Sequence, residues 1–255
     1  MMNTLNKFKI NNYTYLFFII CALCGYIKNI TIIFVICLIH ELGHIFFIKL
    51  FKYKIISIEL LPFGGFTTID KRINANINKD LLIAFGGIIF QLVLLIIVFC
   101  LKNKFNLITY NLIINYSTIL IVFNLLPIIP LDGNQILHLL LEKIFSYHMS
   151  YYLNAIISII CLLMFFIINY IYNLDNYFII SFLLYKIILY VKNYKYNKKR
   201  FLLERYLYDL EYCKIDNHTK NINSLKKGVL HYFKENNKYI NEKEKLKNLF
   251  VKTHK

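Results

Sequence analysis

His40-Glu41-Leu42-Gly43-His44 lies inside an apolar run, Ile30 to Phe51, that is long enough to cross a membrane. At ~3.6 residues per turn, two histidines four apart share one helical face, offset by about 40°. Both imidazoles can therefore reach a single zinc ion, with the intervening carboxylate beside the metal-bound water. Ionisable groups are expensive in lipid, so three within five residues require a function or neighbouring helices that satisfy them. The pattern predicts zinc-dependent hydrolysis carried out within the bilayer.

The rest of the chain agrees with that setting. Of 255 residues, 58% are hydrophobic, the mean hydropathy is +0.52 and the formal charge is +16. This balance excludes an ordinary soluble domain and describes a multi-span membrane protein with basic aqueous parts. Seventeen of the 30 Lys and Arg fall between Lys192 and Lys255, where cytosol and anionic headgroups would meet them, and nothing asks for nucleic acid. Five of six cysteines lie in apolar segments, which argues against a disulfide framework. Cys21-x-x-Cys24 has redox or metal spacing but reads as small-residue packing.

A bilayer core of ~30 Å needs roughly 20 apolar residues per helix. Tyr13–Ile27, Ile30–Phe51, Leu81–Leu101, Leu112–Leu131, Tyr151–Tyr172 and Tyr177–Val191 meet that requirement, the first and last with soft limits. Lys and Arg collect in alternate connections, which predicts six spans with both termini cytosolic. The expected fold is an all-α polytopic membrane protein with a short membrane-associated β-hairpin and a small cytosolic α+β tail. The membrane domain covers residues 1–191 and the basic tail residues 192–255.

Between the second and third spans, Ile55–Asp70 alternates and then turns at Gly64 and Gly65, which predicts a strand pair. It is either a surface hairpin or an edge offered to an extended peptide. In the tail, Lys195–Tyr208 predicts an amphipathic helix on the membrane surface, with Phe201, Leu202 and Leu203 among basic residues. Val229–Phe233 and Lys238–Ile240 predict strands, and Glu242–Phe250 a helix started by Asn241 and Glu244. His138 reads as a residue at a surface or core edge; His148, His218, His231 and His254 read as solvated.

Two histidines and a water leave zinc one protein ligand short. Asp132 is the first candidate, in Asn124-Leu-Leu-Pro127-Ile-Ile-Pro130-Leu-Asp132-Gly133 at the end of the fourth span. Two prolines three apart break a helix, and Gly133 allows the chain to turn, so the Asp132 carboxylate can face the second span. Its alternative role is to cap the following helix, Asn134–Phe145. Glu59 is the other candidate ligand, on the pattern of an ordinary zincin.

The paired motifs, His40-Glu41-x-x-His44 and Asn124-x-x-Pro127-x-x-Pro130-x-Asp132-Gly133, resemble the site-2 protease family of intramembrane zinc metalloproteases, peptidase family M50. The six-span plan most resembles its stage IV sporulation protease FB branch, over about residues 10–200. The resemblance implies that His40, His44 and Asp132 bind one Zn2+ per chain and that Glu41 activates water. It implies regulated proteolysis of a membrane-associated protein, and for that branch a sigma-factor precursor. Asn124 would then hydrogen-bond the substrate backbone or the developing oxyanion, or else stabilise the broken helix. Ala84-Phe-Gly86-Gly87-Ile-Ile-Phe-Gln91 stands where relatives carry a small-residue motif ending in Asn. Gln91 departs from it, and Gly86 and Gly87 read as close helix packing. The tail resembles one strand-strand-helix half of the branch's nucleotide-binding CBS module, so a docking surface is expected and strong ATP dependence is not. Inhibitory membrane proteins and a homo-oligomer are compatible with this reading. A zinc-binding transporter is the competing class. It predicts polar residues along several spans, whereas Glu41 and Asp132 are the acidic residues well inside them. An inactive homologue is opposed by the intact Glu41.

Overall fold

The structure, a computed structural model, describes residues 8–10, 19, 23–61, 64–172, 176–210, 212, 214–219, 221–235 and 238–252. It is mostly helical, and the chain divides into two compact units: residues 1–71 with 81–125, and residues 72–80 with 126–255. Among the described residues four helices are long and apolar enough to cross a membrane: Ile27–Leu50, Ile77–Cys100, Leu107–Leu125 and Tyr147–Ile171. A bent pair, Tyr177–Lys192 and Tyr194–Leu207, makes a fifth if taken as one span. Most of the first expected span, Tyr13–Ile27, lies outside the described residues, as do Cys21 and Cys213. The protein is an integral membrane protein; four or five such helices lie among the described residues, and the sequence predicted about six over the whole chain.

In the first unit, α1 (Ile27–Leu50) carries the histidine pair. It ends without a glycine. Lys52 takes a left-handed conformation (φ 60°), and the amides of Lys52 and Tyr53 donate to the carbonyls of Lys49 and Ile48. That closure satisfies carbonyls the last turn would otherwise leave bare. The chain then enters β2 (Lys54–Leu61) and β3 (Gly64–Asp70), the predicted antiparallel pair; β1 (Phe8–Ile10) adds to β2 in parallel. Ile55, Ile58 and Ile69 pack with Ile45 and Ile48 of α1 and with Ile83. α2 (Ile77–Cys100) begins among the residues of the second unit and continues into the first, where α3 (Leu107–Leu125) packs on α1. Gly43 and Gly86 let α1 and α2 touch backbone to backbone: a Cβ on Gly43 would stand 2.1 Å from the Gly86 carbonyl oxygen. Close packing through Gly86 was predicted, and it sets the depth at which the histidines meet α2.

The helix expected to run to Leu131 stops at Leu125, the end of the first unit, and the second unit takes up the chain from there. Residues 126–131 form tight turns, and α4 (Asp132–Ile144) begins at the aspartate itself. The N-cap is Leu131, so Asp132 is not the capping residue. α5 (Tyr147–Ile171) starts at Ser146, whose hydroxyl accepts from the Met149 amide. α6 (Tyr177–Lys192) and α7 (Tyr194–Leu207) follow, then β4 (Lys214–Thr219), β5 (Val229–Glu235), β6 (Lys238–Asn241) and α8 (Glu242–Lys252). β5 pairs in parallel with β4 and antiparallel with β6. The two strands and final helix were expected; β4 was not.

Two tail readings are corrected. Phe201 and Leu202 do not face a membrane surface: they are buried with Tyr147, Tyr151, Leu225, Phe233 and Leu246 in one core. Tyr147 stacks on Phe201 at 4.2 Å between ring centroids. His231 is not solvated; it is fully buried between Thr219 and Lys226. Arg205, also fully buried, pairs with Glu242 and donates to the carbonyls of Val229 and Lys226. Lys227 bridges Glu142 at 3.2 Å and Asp80 at 3.5 Å. Burying charges is tolerated when each is paired and hydrogen-bonded, and that condition is met here.

Candidate metal centre

The helix brings His40 and His44 together as their spacing requires. Their rings meet edge to face with centroids 4.8 Å apart, and the two Nε2 atoms are 3.1 Å from each other. Each Nδ1 has its own partner: His40 Nδ1 lies 3.0 Å from Gln91 Oε1, and His44 Nδ1 lies 2.8 Å from the Ile83 carbonyl oxygen. Both partners are acceptors, so each Nδ1 carries the proton and each Nε2 presents a lone pair. Two lone pairs aimed at each other across 3.1 Å repel unless a cation sits between them. Two nitrogens on a tetrahedral zinc, each at ~2.0–2.1 Å, stand about 3.3 Å apart. The donor set therefore fits zinc.

Space for the ion is cleared by α2. Ile83, Gly87 and Gln91 follow one another at four-residue intervals and form one stripe. A Cβ at Gly87 would lie 2.4 and 2.5 Å from Cε1 and Nε2 of His40 and 2.6 Å from Nε2 of His44. Gly87 thus serves the imidazoles as well as helix packing. Sequence reasoning gave Gln91 no polar task, yet it is fully buried and its Oε1 accepts the hydrogen bond from His40 Nδ1. An amide in an otherwise apolar stretch, one helical turn beyond the glycine pair, was the available signal.

Glu41 is half-buried on the same helix, three residues before His44, where a side chain flanks the imidazole pair. Asn124 is half-buried on the last turn of α3. Glu59 is exposed on β2 and belongs to no group of candidate metal ligands among the described residues. Asp132, buried, opens α4 in the second unit. There Asn134 donates to Asn154 Oδ1 (2.9 Å) and Ser158 Oγ (2.8 Å), while Asn154 donates back to Asn134 Oδ1 (3.1 Å). Ser158 also donates to the Pro127 carbonyl at 3.3 Å. The break and the start of α4 are thereby tied to α5 by side chains that replace lost helical partners.

An imidazole pair poised for a cation, with a carboxylate on the same apolar helix of membrane length, defines a membrane protein with a candidate metal centre. The chain belongs to peptidase family M50, whose profile matches residues 28–107 and 103–168, more than half of the chain. It is similar to Stage IV sporulation protein FB of Bacillus subtilis, 30% identical over 191 residues that cover 72% of this chain and 66% of that protein. It is also similar to a zinc metalloprotease of Methanocaldococcus jannaschii, 33% identical over 123 residues, covering 46% of this chain and 35% of the other. The chain thus spans a little under two thirds of the first relative and about one third of the second. Its fold is like that of the solved Site-2 Protease from Methanocaldococcus jannaschii, with a TM-score of 0.55 and 24% identity over 72% of this chain and 90% of that one.

Proposed function

We propose that this chain is an intramembrane zinc endopeptidase that cleaves membrane-associated regulatory proteins, with His40, His44 and Asp132 as the ligands of one zinc ion. The observation that carries this reading is the opposed Nε2 pair, each Nδ1 held by an acceptor. Asp132 enters as third ligand because a carboxylate completes a three-ligand catalytic set and its motif accompanies the histidine motif. Zinc, when bound, supplies a Lewis acid that lowers the pKa of its water toward ~7 and polarises the scissile carbonyl. Glu41 takes the proton of the attacking water and passes it to the leaving amine. Asn124, one turn from the break, would donate its amide to substrate backbone or to the developing oxyanion, or else stabilise the broken helix.

For substrate we propose a membrane-associated sigma-factor precursor. The paired motifs and the likeness to a sporulation protein support that choice. The alternating excess of Lys and Arg supports cytosolic termini, with residues 192–255 on the substrate's side. The test is co-expression with a tagged precursor, comparing wild type with Glu41→Gln. The variant should keep its zinc and lose cleavage by at least ~10²-fold, the usual contribution of a general base. Zinc loss on the same substitution would place Glu41 among the ligands and overturn the assignment.

A further inference from the structure

Gln91 is a fully buried polar group of the first unit to which the reaction assigns nothing. Between Leu81 and Phe99 its carboxamide is the one side chain able to both donate and accept a hydrogen bond. Its side chain is fully buried, in a helix whose neighbouring residues Leu92, Val93, Ile96 and Phe99 are exposed and apolar. An amide is costly at such a position unless its bonds are made. The bond that Gln91 makes is to His40: Oε1 stands 3.0 Å from Nδ1, while Nε2 has no hydrogen-bond partner among the described residues. Half of the carboxamide is committed, and the committed half is the acceptor.

The direction of that bond matters. Neutral imidazole holds one proton, and whichever nitrogen keeps it is lost as a ligand. An acceptor at Nδ1 fixes the proton there, turns the ring and leaves Nε2 bare toward His44. On the same stripe of α2, Ile83 does this for His44 with a backbone carbonyl that no substitution removes. His40 depends on a side chain.

We propose that Gln91 is the positioning residue of the metal centre: its carboxamide oxygen holds His40 in the Nδ1–H tautomer and sets the zinc affinity of the pair. This rests on the zinc reading above. The alternative is that Gln91 merely fills space, and the two differ in what a substitution must preserve. Gln91→Met keeps the length and removes the acceptor. Gln91→Glu keeps the acceptor.

The experiment measures zinc affinity by chelator competition on the full-length protein in detergent, with the thermal midpoint of the metal-free protein as a control for packing. Gln91→Met should bind zinc ~10–100-fold more weakly, the usual effect of losing an outer-shell partner, with an unchanged metal-free midpoint. Gln91→Glu should return affinity to within a few-fold of wild type. If Gln91→Met cannot be recovered folded, Gln91→Asn, whose oxygen falls short of Nδ1, should weaken binding in the same direction. Wild-type affinity in Gln91→Met, or equal losses in the Met and Glu variants with a lowered metal-free midpoint, would overturn the proposal. His40→Ala/His44→Ala in the same assay separates the two levels. If that double variant binds zinc like wild type, the metal-site reading itself fails. If it loses zinc while Gln91→Met does not, only the role of Gln91 fails.

Discussion

At the scale of single residues, the metal centre depends as much on an absent side chain as on those present. Gly87 has no Cβ, and one placed there would stand within 2.6 Å of both imidazoles. Gly87→Ala should therefore force His40 and His44 apart and weaken zinc binding by at least ~10-fold, comparable to losing a supporting contact. Zinc content after dialysis against a weak chelator reads this directly. The third ligand has its own comparison. Asp132→Ala should lower both zinc occupancy and cleavage, while Glu59→Ala, at an exposed strand position, should leave occupancy near wild type. If the Glu59 variant loses the metal and the Asp132 variant keeps it, the ordinary-zincin arrangement becomes the better description.

At the scale of elements, the tail sheet is built round a buried histidine. His231 on β5 faces the Thr219 hydroxyl at 2.7 Å, Asp216 at 3.6 Å and the Lys226 amide, which donates to Nε2 at 3.0 Å. Arg205 and Glu242 complete its surroundings. Burial, and then the Arg205 charge, hold its pKa below the usual histidine value, against the opposite pull of Glu242 and Asp216. The unfolded chain therefore takes up this proton more readily than the folded one. Stability from neutral His231 is complete above the unfolded pKa, ~6.5, and falls as pH drops from there through the depressed folded value. The thermal midpoint in detergent should decline between about pH 7 and pH 5, and His231→Gln should flatten that decline. A decline of equal size in the variant would assign the pH dependence to other groups. The Asn134–Asn154–Ser158 set on α4 and α5 carries no such charge, so it holds the helix break across the same range.

At the scale of the whole molecule, the tail is part of a folded unit and no loose appendage. Phe201, Leu202, Leu225, Phe233 and Leu246 share a core with Tyr147 and Tyr151 of α5. Each such side chain contributes about 1.5–3 kcal/mol by burial. Five of them gross as much as the ~5–15 kcal/mol net stability of a typical domain. Truncation after Arg200 removes all five, together with the Arg205–Glu242 pair and Lys227, the cation between Asp80 and Glu142. We expect the truncated protein to melt well below wild type and to accumulate poorly. A truncated protein that melts like wild type, and loses only processing of a full-length precursor, would return the tail to the docking role its +10 charge suggested (17 basic against 7 acidic residues).

The sequence alone determined that His40 and His44 meet. Their relation is local: a four-residue spacing on one helix settles which side chains meet. It also determined the hairpin, the break at Pro127 and Pro130, and the tail's last strands and helix, since alternation, proline and capping residues act within a few positions. What it left open were relations across distance. Gln91 is 51 positions from His40, and its partner could not be read from an apolar helix. β4 is too polar to announce a strand, and forms one by pairing with β5. The deepest ambiguity was the facing of apolar residues. In water an apolar stripe means inward, but lipid and protein interior are both apolar, so Phe201 and Phe99 look alike in sequence. Only the tertiary structure decided that Phe201 is buried in the protein while Phe99 is 69% exposed on the outer face of a span, because packing against a neighbour distinguishes two environments that hydrophobicity cannot.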